Sequence, residues 1–133
     1  MEHMTQSYYI MENGKSAIYF IYEYHLGFAR GNCMKYCVRA GRKDNNSAES
    51  DLNKALVYII SADNEISPFE KLFRRVYNTL TFDYSTEFVN KDVDRIIKSV
   101  IKFDDPNKIA TMIVKYMDNR GINVKPEFDK YRK

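Results

Sequence analysis

The sequence predicts an all-α protein, a compact bundle of five or six helices forming a single domain over residues 1–133, with a short extended segment at its N-terminus. Three observations predict this. Apolar residues recur at three- and four-residue spacing along most of the chain, most plainly at Val93, Ile96, Ile97, Val100 and Ile101. Helix-opening signals precede several of these stripes: Ser67-Pro68-Phe69-Glu70 carries an N-cap, a proline at the first helical position and a glutamate at the third, and Asp105-Pro106 repeats the first two. Gly27, Gly41 and Gly121 stand where the periodic stretches stop. With 44% hydrophobic and 14% aromatic residues, 133 residues can offset chain entropy with one core and are too few for two ordinary ones.

Residues 5–14 have no helical period and read as extended, with Gly14 as a turn; Met1-Glu2-His3 resembles an expression-vector remnant ahead of a start at Met4. The first helix, from Ser16 to about His25, is expected to be largely buried through Ile18, Ile21 and Tyr22, with Ala17, Phe20 and Tyr24 beside them. A second runs from Phe28 to Ala40 and is stopped by Gly41, the residue best able to turn left-handed past a helix end. Asn45 and Asn46 open a third, Asn46 and Glu49 forming a capping box, with Leu52, Ala55, Leu56 and Ile59 as its stripe. Residues 63–121 hold the C-terminal helices. Phe69, Leu72, Phe73, Val76 and Leu80 share one face of the fourth, the fifth carries the Val93 to Ile101 stripe, and Ile109, Met112, Ile113, Tyr116 and Met117 turn inward on the sixth. Residues 122–133 read as a polar, frayed tail. The stripes of the last two helices are wide enough to suggest some burial in a homo-oligomer.

The net charge of +3 is mild and argues against nucleic acid as a partner. Its distribution says more. Between Gly27 and Lys43 stand Arg30, Lys35, Arg39, Arg42 and Lys43 with no Asp or Glu among them. At about 100° per residue, Asn32, Lys35, Tyr36, Arg39 and Lys43 fall within one arc of the second helix, with Cys33, Cys37 and Ala40 opposite. Asp51, Lys54 and Tyr58 share a narrower arc of the third. Residues 27–58 thus form a helical hairpin with two polar stripes that can line one groove. Arg39 can offer a planar fork to phosphate oxygens, Lys35, Lys54, Arg42 and Lys43 further charge, Asn32 both a donor and an acceptor, and Tyr36 or Tyr58 a ring for a base. Ordinary solvation of a charged helix face is the competing reading. Against it stand the missing acids, the presence of Asn32 and Tyr36 on the charged face, and the close approach allowed by Gly27 and Gly31.

The elements Leu26-Gly27-Phe28, Gly31-Asn32, Lys35-Tyr36, Arg39-Ala40-Gly41-Arg42-Lys43, Asp51-Leu52-Asn53-Lys54-Ala55 and Tyr58 occur in an order that resembles a phage domain-of-unknown-function family, one of whose members is a small nucleotide kinase lacking a P-loop. The resemblance implies a phage protein with a nucleotide ligand and carries Asn32, Lys35, Arg39, Lys43, Asp51 and Lys54 over as binding residues. Ser7-Tyr8-Tyr9 departs from the His-Tyr expected near the family's N-terminus, and the resemblance ends at about Ala62. Three functions follow as expectations. The first is phosphoryl transfer between nucleotides, with Lys35, Arg39 and Lys54 neutralising phosphate and Asp51, the candidate catalytic residue, placing the acceptor or a Mg2+ ion. The second is a non-catalytic sponge for a nucleotide second messenger of antiphage defence. The third is an inhibitor of a host defence protein that works through protein contacts.

Other constellations are weaker. No Gly-x-x-x-x-Gly-Lys-Ser/Thr occurs, which excludes a conventional phosphate-binding loop. Cys33 and Cys37, four apart on an apolar face, read as buried thiols of a reducing compartment, and with His25 they lack a fourth zinc ligand, so no metal site is expected. No run reaches the roughly 18 apolar residues of a membrane span. A cytoplasmic protein, in the host cytoplasm if phage-encoded, is the expectation.

Overall fold

The computed structural model describes residues 15–42, 47–62 and 66–132, and every regular element among them is a helix. In chain order these are α1 (Ala17–Glu23), α2 (Gly27–Arg39), α3 (Ala48–Ile60), α4 (Pro68–Thr81), α5 (Lys91–Ile101), α6 (Pro106–Asn119) and a closing 3-10 helix (Pro126–Tyr131). α2 packs along α3 and also meets α1 and α5, while α6 closes the layer against α3 and α5. The core runs through α2, α3, α5 and α6: Cys33 and Met34 of α2, Leu52, Leu56 and Ile59 of α3, Ile96, Ile97 and Ile101 of α5, and Ile109 and Ile113 of α6 are fully or almost fully buried, with Phe88 and Phe103 from the connections. Burying each such side chain contributes about 1.5–3 kcal/mol.

The helix ends follow local chemistry. Ser67 caps α4 by accepting from the Glu70 amide at 3.2 Å, Asn90 caps α5 through Val93, and Asp105 caps α6 through Asn107. Gly41, at φ +75°, follows the end of α2 as the sequence suggests. α3 differs: its N-cap is Ser47, one residue after the Asn46 expected to open it, and the Ser47 hydroxyl accepts from the Ser50 amide at 3.1 Å. Serine is as good a cap as asparagine, so the local signal is degenerate at this site; Asn45 and Asn46 themselves lie outside the described residues. α1 is shorter than expected and less buried, since Tyr19 and Tyr22 face outward and only Ala17 and Phe20 enter the core. His25 takes φ +53° in the turn to α2, and its carbonyl accepts from Arg74 Nη1 at 2.6 Å.

α4 is turned inside out. Its buried residue is Asn78, whose Nδ2 donates to the carbonyls of Tyr24 at 3.0 Å and Ile101 at 2.8 Å. Arg74 reaches His25, and Arg75 pairs at 3.6 Å with the buried carboxylate of Asp104, which Lys108 also meets at 3.2 Å. Polar groups therefore hold this helix to the body, and the apolar stripe read from its sequence faces outward.

The last segment is pinned rather than frayed. Val124, Phe128 and Tyr131 are buried, and Asn53 of α3 donates to the Asn123 carbonyl at 3.1 Å while accepting from the Lys125 amide at 3.1 Å. Arg132 binds both carboxylate oxygens of Asp118 at 2.9 Å and also pairs with Asp129. Three apolar residues spread over eight positions leave no helical period, which is why the segment reads as polar. In the front half, Arg30 of α2 is buried, donates to the Asp104 carbonyl at 2.8 Å and lies 4.6 Å over the Phe103 ring. No helix among the described residues is long and apolar enough to cross a membrane.

Candidate functional site

Arg39, at the end of α2, and Asp51, in the first turn of α3, meet across the hairpin. Arg39 Nε and Nη2 both donate to Asp51 Oδ1, at 3.2 and 2.7 Å. Asp51 is 0% exposed and Arg39 only 6%. A carboxylate and a guanidinium this deep lose most of their hydration, and their mutual attraction offsets that cost. The N-terminus of α3 adds a favourable partial positive charge beside Asp51. Asp51 Oδ2 has no hydrogen-bond partner among the described residues.

Above this pair lies the half-buried ring of Tyr36. Arg39 Cζ and Lys35 Nζ are each 4.6 Å from its centroid and Lys54 Nζ is 5.5 Å away. Tyr58 of α3 stacks on the same ring at 5.8 Å and 10°, and Phe28 meets the edge of Tyr58 at 5.6 Å. An aromatic row thus crosses the hairpin, and three cations converge on one end of it. The negative face of a phenol ring holds such cations with modest energy, about 0.5–1 kcal/mol each at an exposed site. Among the described residues Lys35 and Lys54 make no ion pair, and Asp51, inside the core, pairs with Arg39.

Beside the row, between α1 and α2, runs a groove of about 540 Å³. Ile18, Ile21, Tyr22 and Phe28 give it apolar walls, while Asn32 and Lys35 line it from α2. A Cβ at Gly31 would stand 3.0 Å from Ile21 Cγ2, so the missing side chain lets α1 close on α2 at the groove floor. His25 and Arg74 form the rim on the side of α4.

The structure therefore gathers Lys35, Tyr36, Arg39, Asp51, Lys54 and Tyr58 around one ring. Asn32 lies a turn away, its Nδ2 donating to the Phe28 carbonyl of its own helix at 2.8 Å. Arg42 is exposed and donates to the Val38 carbonyl at 3.4 Å, and Lys43 lies outside the described residues. Sequence reasoning alone does not find Phe28, although its place four residues before Asn32 on the same stripe carries the signal. Ile21 and Arg74 join the groove through tertiary packing, and nothing local marks them, whereas Tyr22 stands near enough to the hairpin in sequence to suggest a groove wall. Behind the site Cys33 and Cys37 are buried; a hydrogen bond with Cys37 and then burial hold the Cys33 thiol well above its usual range, which makes it unreactive.

The part of the chain that builds most of this site also matches a family model. No curated protein and no solved structure matches the chain. Residues 5–60, which end with α3 and include both polar stripes, match the model of a family described as a protein of unknown function, DUF3310.

Proposed function

We propose that this chain binds a phosphorylated ligand, a nucleotide, on the outer face of the α2–α3 hairpin. One observation carries the reading: Lys35 and Lys54, on different helices, converge with Arg39 on the Tyr36 ring at the edge of an apolar groove. Anion and base have separate places in this arrangement. A base lies against Phe28 and Ile21 with Asn32 at its edge, and the phosphates lie toward Lys35 and Lys54. Arg39 works from beneath, fixing Tyr36 and adding charge to the local field.

Between the two nucleotide readings, the burial of Asp51 favours binding without chemistry. A carboxylate that places an acceptor hydroxyl or a Mg2+ ion has to reach it, whereas Asp51 is 0% exposed and bonded to Arg39. Phosphoryl transfer would require that pair to open. A phage protein that sequesters a nucleotide messenger needs only the grip.

Titration calorimetry with nucleoside monophosphates, triphosphates and cyclic nucleotides tests the reading. Lys35→Ala and Lys54→Ala should each weaken the best ligand roughly tenfold or more, the worth of a charge-assisted hydrogen bond. Mass spectrometry of the ligand recovered after denaturation separates the two readings, because a sponge returns it unchanged and a kinase does not. Failure of every nucleotide to bind, or equal binding by the double variant, would overturn the proposal. A protein-contact inhibitor would hold its target regardless of both lysines.

A further inference from the structure

The outward stripe of α4 consists of Phe69, Leu72, Phe73, Val76, Tyr77 and Leu80, which are between 46 and 80% exposed. The spacing of Phe69, Phe73, Val76 and Leu80 alternates four, three and four, the a/d pattern of a helix that packs against another helix, with Leu72 and Tyr77 on its flanks. These side chains present roughly 600 Å² of apolar surface, the upper end for a free monomer and close to the about 800 Å² per partner of a standard interface.

The stripe is also symmetric about its own middle. A two-fold axis between positions 74 and 75 sets Phe69 against Leu80 and Phe73 against Val76, so each ring of the seam meets an aliphatic of smaller size, while Leu72 and Tyr77 border the seam on opposite flanks. In that arrangement Glu70 shares its flank with Tyr77 and Thr79 shares the other with Leu72, while Arg74 and the exposed Arg75 turn away from the seam, engaged by His25, Glu70 and Asp104. No like charges meet across the seam. A parallel arrangement would oppose Phe69 to Phe69 and Val76 to Val76, and packs large against large and small against small.

We infer that α4 is the contact between two copies of this chain, an antiparallel helix pair centred between Arg74 and Arg75. The surface lies outside residues 5–60 and is independent of the ligand reading. Light scattering of the full chain at about 100 μM, well above a micromolar dissociation constant, should give twice the chain mass. Phe73→Glu should yield a monomer with unchanged helical circular dichroism, because position 73 is solvent-facing in the single chain. Val76→Lys should do the same. Mixing the two variants should restore a dimer, since residue 73 of one copy then meets residue 76 of the other as an opposite-charge pair while the second 73–76 contact stays wild type. A monomeric wild-type chain overturns the inference, whether residues 1–14, a lipid surface or a different protein proves to cover α4. So does a Phe73→Glu variant that remains dimeric, or a mixture that stays monomeric, the latter by excluding the antiparallel register.

Discussion

Replacing Asp51 by Asn removes the negative charge that Arg39 meets inside the α2–α3 contact while leaving a side chain of nearly the same volume. Both Arg39 contacts fall on Oδ1, at 3.2 and 2.7 Å, so an amide oxygen turned the same way preserves the geometry and loses the charge. The guanidinium, 6% exposed, is then buried without a counter-ion. Breaking one side of a buried pair typically costs about 3–5 kcal/mol, and retained hydrogen bonds place this variant near 3 kcal/mol, a large part of the about 5–15 kcal/mol that holds a domain together. Urea unfolding followed by helical circular dichroism measures it, and Arg39→Met, Asp51→Leu and the double variant Arg39→Met/Asp51→Leu form the accompanying cycle. The double variant should recover most of the loss, because an apolar pair of similar volume needs no desolvated charges. A loss below about 1 kcal/mol for Asp51→Asn, or additive losses in the double variant, would refute the claim that the two charges hold each other.

Asn53→Ala should cost about 2–3 kcal/mol, since it removes partners from the Glu49 and Asn123 carbonyls and the Lys125 amide, and hydrogen exchange over residues 122–132 should rise before that of α6. A disulfide reagent at pH 8 should modify Cys33 at least about 100-fold more slowly in the folded chain than in urea, because burial and Cys37 keep the thiol protonated. Arg132 draws the Asp118 pKa below its usual 3.8, so the tether of the closing helix is present above pH 3.8 and is lost as pH falls further, through the folded value. Tyr131 resonances followed through an acid titration should report that release, and Arg132→Ala should abolish its pH dependence.

Helices were legible where one local signal sufficed. Ser67-Pro68 and Asp105-Pro106 mark the starts of α4 and α6, and the Val93 to Ile101 stripe is buried as its period implies. Period alone does not say which way a stripe faces. The five apolar residues of α4 read like those of α5, yet Asn78, Arg74 and Arg75 find partners at His25, Tyr24, Ile101 and Asp104, 23 to 54 positions away in the case of Asn78, and these set the rotation of the helix. The candidate site divides in the same manner. Angular spacing brings Lys35, Tyr36 and Arg39 onto one arc and Asp51, Lys54 and Tyr58 onto another, and the hairpin joins them. That Asp51 would sink beneath Arg39 while Lys54 stayed exposed depends on the tilt between α2 and α3, which no single-helix projection contains.

The contact of Arg30 with Asp104 and Phe103 bears on how this protein can be dissected. Residues 5–60 match one family model, yet α2 and α3 within them are held by groups from beyond residue 60. Cut after α3, the fragment would leave the Arg30 guanidinium without the carbonyl and the ring that receive it, Asn53 without the chain it clasps, and α3 without the cover of α6. Heredity and cooperativity therefore draw different boundaries in this chain, and work on the hairpin has to carry the other helices with it.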